Sequence, residues 1–114
     1  MTVGPTEAAE PVDDVLAALA DPTRRALLDA LAARGAASAS ALAADLPVSR
    51  QAIVKHLTVL ERAGLVTAAR TGREVRYTPR PQPLDATARW LSALAGEWDR
   101  RLAAIKHAAE HDLP

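Results

Sequence analysis

Apolar residues recur along this chain at helical intervals, interrupted once by a short stretch of alternation. Val12, Val15, Leu16 and Leu19 fall at i, i+3, i+4 and i+7 and predict a short first helix. Residues 1–11 carry Gly4, Pro5, Glu7, Glu10 and Pro11 without periodicity and read as a flexible tail. At Asp21-Pro22 the chain restarts, with Asp21 suited to cap a helix and Pro22 to its first position, where no N–H is needed. Leu27, Leu28 and Leu31 form the stripe of this second helix, and Gly35 ends it. Ser38 or Ser40 caps a third, short helix carrying Leu42 and Leu46. After a turn at Pro47-Val48, Ser49 caps a fourth helix that runs to about Ala63 and closes at Gly64. Two strand-like runs follow, Leu65–Arg70 and Glu74–Thr78, joined around Gly72, with Val75 and Tyr77 alternating with Arg76 and Thr78. Pro79, Pro81 and Pro83 read as a stiff connector, and Asp85 as the cap of a last helix reaching about Glu110. The expected fold is mainly α with a small β-hairpin.

Composition narrows this picture. The 114 residues make one domain, and alanine and leucine supply most of a 49% hydrophobic content that includes only 3% aromatics, which suits helices. With no cysteine, neither a disulfide framework nor a thiolate metal site can form. No apolar run reaches membrane-spanning length and the N-terminus lacks a signal-peptide pattern, so the expectation is a cytoplasmic protein without a membrane partner. The net charge of zero hides an uneven distribution. Residues 49–80 hold seven basic residues against two acidic ones, a net +5, while residues 1–48 carry −4 and residues 81–114 carry −1. The basic segment is the one that carries the fourth helix and the hairpin, as a nucleic-acid-binding surface requires.

At about 100° per residue the fourth helix divides into two faces. Ile53, Leu57 and Leu60 share the apolar one, and Gln51, Lys55, Thr58 and Arg62 share the other. Gln pairs bidentately with adenine, and Lys or Arg with guanine, so this face is equipped to read base edges. Arg50 lies at the margin near the helix start, where a phosphate is also favoured by the helix dipole; Ser49 can donate to a phosphate, and Val54 can touch a thymine methyl. His56, at the edge of the apolar face, reads as a packed or rim residue. Around Gly72, Arg70, Arg73 and Arg76 are placed to hold backbone phosphates. A helix capped this way and followed by an arginine-bearing hairpin is the layout of a winged helix-turn-helix of about five helices plus wing, spanning residues 12–80.

Residues 81–114 then form a C-terminal dimerisation helix of the same domain. Leu84, Ala88, Leu91, Ala95, Trp98, Leu102 and Ile105 repeat at spacings of 4 and 3 in turn, and Trp90 and Leu94 widen the stripe. That apolar surface exceeds what one face of a small domain needs, which points to a second copy, with Val15 and Leu19 of the first helix contributing alongside Leu84, Leu91, Leu94, Trp98 and Leu102.

The run Ala20-Asp21-Pro22-Thr23-Arg24-Arg25-Ala26-Leu27-Leu28, then Leu42-Ala43, Ser49-Arg50-Gln51-Ala52-Ile53-Val54-Lys55-His56-Leu57, Leu60–Val66, Gly72-Arg73 and Arg76-Tyr77, resembles the ArsR/SmtB family of bacterial repressors over roughly residues 12–106. The resemblance implies a homodimeric winged-helix repressor that binds an inverted repeat near its own promoter, with Arg50, Gln51, Val54 and Lys55 where that family reads DNA and Arg73 on the wing. The chain departs from the metal-sensing members. Their third-helix cysteine pair would fall at about Ser38 and Ser40, and of the paired Asp-x-His and His-x-x-Glu zinc motif only His107-x-x-Glu110 matches; Asp99 is followed by Arg100-Arg101. His107–His111 also spells H-x-x-E-H, but as a solvated helix end without a third ligand. With Trp90-Leu91, Trp98-Asp99 and Leu102, the last helix resembles a non-metal-sensing subgroup.

These readings converge on a homodimeric, sequence-specific, double-stranded-DNA-binding transcriptional regulator that acts as a repressor and needs no metal or other cofactor; no inducing ligand or partner protein is legible. The rival is a winged-helix protein-interaction module that does not touch DNA. An enzyme is not expected, since there is no nucleophile–base pair, phosphate-cradling loop or catalytic carboxylate pair.

Overall fold

Helix boundaries in the first half of the chain are set by side chains that satisfy free backbone N–H groups. In the computed structural model, which describes the backbone of residues 4–111 and side chains from residue 12 to 111, Asp21 Oδ1 accepts from the N–H of Thr23 at 2.7 Å and of Arg24 at 3.1 Å and so starts α2 (Pro22–Arg34). Gly35, at φ 81°, closes it with its N–H on the Leu31 carbonyl. Ser38, not Ser40, caps α3 (Ala39–Asp45), its Oγ accepting from Ala41 N–H at 3.1 Å. Ser49 caps α4 (Arg50–Arg62) in the same way through Ala52 N–H.

The first helix, α1 (Gly4–Leu19), begins eight residues before the expected Val12. The segment Thr6–Glu10 is rich in Ala and Glu, good helix formers, and Pro5 sits in the first turn, where its missing N–H costs nothing. Of the expected tail, residues 1–3 lie outside the described residues.

The hairpin consists of β2 (Val66–Thr71) and β3 (Glu74–Pro79), paired antiparallel from Val66↔Pro79 to Thr71↔Glu74. Its two-residue turn, Gly72-Arg73, has a positive φ only at Gly72 (64°), the pattern of a type II′ turn. A short strand unanticipated from the sequence, β1 (Ala37–Ser38), pairs with β3 and completes a three-stranded sheet in the order β1-β3-β2. Two residues show no periodicity, and only their pairing with Tyr77 and Arg76 defines them as a strand.

The proline connector is shorter than expected. Pro79 is the last residue of β3, and α5 (Gln82–His111) starts three residues before Asp85, which lies in its first turn. Pro83 is accepted there because a first-turn N–H has no intrahelical partner.

One core joins α1 to α4 and the base of the wing. Val15, Leu27, Leu31, Leu42, Ile53, Leu57, Leu60 and Leu65 are completely buried, with Val66 and Tyr77 sealing the sheet side. Each such side chain contributes about 1.5–3 kcal/mol relative to exposure. An Arg34–Asp45 ion pair ties the ends of α2 and α3 on the surface. The 30-residue α5 packs on α1 but buries only Thr87. The radius of gyration, 19.9 Å, therefore exceeds the roughly 13 Å of a compact chain this size.

Candidate nucleic-acid interface

The fourth helix is held by its apolar side and free on its polar one. Ile53, Leu57 and Leu60 have no exposed surface, which fixes the rotation of α4 about its axis. Gln51, Lys55 and Arg62 are consequently exposed, and Val54 and Thr58 half-buried. Thr58 differs from the others because its hydroxyl already donates to the Val54 carbonyl at 2.9 Å, leaving it only acceptor capacity.

Arg50, Arg70 and Arg73 converge on one groove of about 400 Å³ between the start of α3, the side of α4 and the wing, whose floor includes Val54, Val75 and Tyr77. Strand register explains the meeting: Arg70 pairs with Val75 and so shares the sheet face that looks at the helices. Arg50 reaches back from α4 so that its Nε donates to Ser40 Oγ at 3.0 Å, a contact between residues ten apart that no spacing rule identifies. Among the described residues, Glu74 is the one acidic side chain lining this basic groove.

Arg76 does not join the cluster. It pairs with Ala69 on the opposite face of the sheet, and its Nη2 donates to the Ala36 carbonyl at 3.4 Å. The alternation Val75–Arg76–Tyr77 already implied opposite faces, and only the burial of Val75 and Tyr77 decides which face meets the helices.

The candidate partner surface divides similarly. Trp98, Leu102 and Ile105 are 61%, 63% and 66% exposed, and Leu84, Trp90 and Leu91 are also exposed; Leu94 is half-buried. On α1 the expected residues face inward: Val15 is wholly within the chain's own core, and Leu19 is half-buried against it. Among the described side chains of α1, Leu16 is the large apolar residue left exposed. At the chain end, the His107 and His111 rings pack 3.8 Å apart and Glu110 pairs with Lys106 at 4.0 Å. Among the described residues no three His, Asp or Glu side chains gather as metal ligands would, and no helix is long and apolar enough to cross a membrane.

A reading helix seated on a short preceding helix and followed by a hairpin over its flank is a winged helix-turn-helix. Comparison with known proteins agrees. The helix-turn-helix domain family matches residues 19–68. An ArsR-like transcriptional regulator from Rhodococcus sp. RHA1 superposes with a TM-score of 0.81 at 50% identity, covering 90% of this chain and 96% of its own. The HTH-type transcriptional regulator Rv2034 of Mycobacterium tuberculosis is 46% identical over 83 residues, 73% of this chain and 70% of the relative. The transcriptional repressor SdpR of Bacillus subtilis is 29% identical over 91 residues, 80% of this chain and the whole of the relative. The chain belongs to the ArsR family of helix-turn-helix transcriptional regulators, and it is not an enzyme.

Proposed function

We propose that this regulator is a homodimeric repressor that binds an inverted-repeat operator. The observation that carries the reading is the presence, on one molecule, of an exposed polar face on α4 and an exposed apolar seam on α5. The seam, Leu84, Leu91, Leu94, Trp98 and Leu102 with Leu16 of α1 beside it, is covered by the same seam of a second copy. Two-fold symmetry then sets two reading helices about one DNA turn apart, roughly 34–36 Å, or a multiple of it. Gln51 and Lys55 read base edges, Val54 touches a thymine methyl, and at the margin Ser49 donates and Thr58 accepts. Arg50, Arg70 and Arg73 hold the backbone as a group, with Arg76 adding charge from the other face of the wing.

Repression is supported by the likeness to SdpR, itself a transcriptional repressor. Metal has no part in the proposed control. Where metal-sensing relatives carry cysteines, Ser38 caps α3 and Ser40 holds Arg50.

The test combines sedimentation of the wild type at micromolar concentration with sequencing of the DNA fragments it selects. A dimer that recovers imperfect inverted repeats is expected. A monomer that binds one half-site tightly would refute the dimeric reading. Failure to bind any duplex at low salt would favour a protein-interaction module instead.

A further inference from the structure

The Asp21-Pro22-Thr23-Arg24-Arg25 segment does more than begin α2. No basic residue stands in the last turn of α1, so the carbonyls at that end have no cation of their own. Arg24 and Arg25 supply it from the next helix. Arg24 Nε donates to the Ala18 carbonyl at 2.7 Å and its Nη2 to Ala17 at 3.2 Å, while Arg25 Nη1 donates to Leu19 at 2.6 Å. The remaining Arg24 nitrogen, Nη1, lies 3.4 Å from His56 Nδ1 on α4. A guanidinium has only donors, so Nδ1 is the acceptor. The Asp21 carboxylate, 3.9 Å from the same Nη1, flanks it.

Arg24 thus joins three helices with one planar group. The joint matters because α1 and α4 meet across a groove of about 450 Å³ lined by Asp14, Ala17, Val59 and Arg62. Apolar contact at Val15 and Ala18 draws the two helices together but is not directional. A guanidinium fork is directional and rigid.

We propose that Arg24 is a positioning residue for operator recognition: it locks α4 to α1, and through α1 it sets the separation and tilt of the two reading helices in the dimer. This rests on the dimeric reading above. Arg24 touches no DNA in this role, and its effect is on which half-site spacing is accepted.

The experiment uses the full chain and a duplex recovered by selection with the wild type. A series is built from it with the spacer between half-sites lengthened or shortened by single base pairs, together with a single half-site. Wild type, Arg24→Ala, His56→Leu and His56→Gln are titrated against every duplex, and their sedimentation is measured. The wild type should prefer one spacing, and Arg24→Ala and His56→Leu should lose about tenfold on it, because the second half-site is no longer presented in register. Both should bind the single half-site and dimerise as the wild type does, so their spacing preference flattens. His56→Gln keeps an acceptor for Arg24 and should retain the preference.

Equal losses on all duplexes, with the spacing preference intact, would make Arg24 a merely structural residue and overturn the proposal. If Arg24→Ala does not fold, an unchanged preference in His56→Leu has the same force. A wild type that sediments as a monomer and shows no spacing preference overturns the dimeric reading and this proposal together. A wild-type dimer whose sharp preference survives both variants overturns this proposal alone.

Discussion

Helices α4 and α5 are both amphipathic, and the molecule uses them in opposite ways. On α4 the apolar face is closed inside the chain and the polar face is left to solvent. On α5 the apolar face is left open, and Trp98, Leu102 and Ile105 stand in water beyond the body of the domain. A hydrophobic stripe shows that a helix must be covered on that side. It does not show whose surface covers it. For α4 the cover is α1, α2 and α3, brought close by short connections. For α5 the described residues offer cover at its start, where Leu84 shares a groove with Leu28 and Leu65, and α1 along part of its length, and they leave Trp98, Leu102 and Ile105 exposed.

Removing an apolar side chain should therefore have different consequences on the two helices. Leu57→Ala should destabilise the folded chain by about 2–5 kcal/mol, the usual cost of a cavity at a fully buried leucine, as read from denaturant unfolding. A much smaller loss would mean that the α4 side of the core is loosely packed. Trp98→Ala should leave that core intact and cost about 2 kcal/mol or more in dimerisation, as read from sedimentation, with operator binding falling in parallel. Weaker folding of the isolated chain without a change in assembly would erase the distinction between the helices.

Polar substitutions on α4 should act on binding alone. Gln51→Ala or Lys55→Ala should cost roughly 1–3 kcal/mol in specific binding per lost base contact, without loss of stability. Competition between cognate and scrambled duplexes is the check, and equal losses on both would assign these residues to phosphate. Within the wing, Arg73→Ala should flatten the log–log salt dependence of binding by about one unit. An unchanged slope would place Arg73 away from the DNA.

The smallest effect concerns the α1–α2 joint. The N–H groups of Arg24 and Thr23 hold the Asp21 carboxylate below the ordinary value of about 3.9, against a smaller opposing effect of desolvation. A depressed carboxylate contributes its stability above the unfolded-state value and loses it as pH falls through the folded one. Asp21→Asn, which keeps a capping oxygen but no charge, should therefore be less stable than the wild type near neutral pH and converge with it in acid. Parallel pH–stability curves would remove the charge from the account.

Much of this architecture was legible from residue order. Asp21, Ser49 and Gly35 announce their helix ends because capping is a local hydrogen-bonding requirement. Gly72 marks the hairpin for a similar reason, since its positive φ suits glycine. The α4 faces follow from period alone. Where local cues competed, the reading missed: Gly4, Pro5 and Pro11 suggested a tail, while the helix-forming residues between them carried α1 back to Gly4. Three prolines suggested a longer break before α5 than the chain needs.

The helices, the hairpin, the polar face of α4 and the basic segment follow from residue order alone, because each rests on interactions between residues a few positions apart. It took the packed fold to turn Val15 inward and Leu16 outward, to bring Arg70 and Arg73 into a groove with Arg50 while Arg76 lies on the other face, and to tie α1 to His56 through Arg24. Those outcomes depend on which faces of distant elements meet. Strand register and helix rotation are settled by burial of the whole core at once, and no local stretch of residues carries that information.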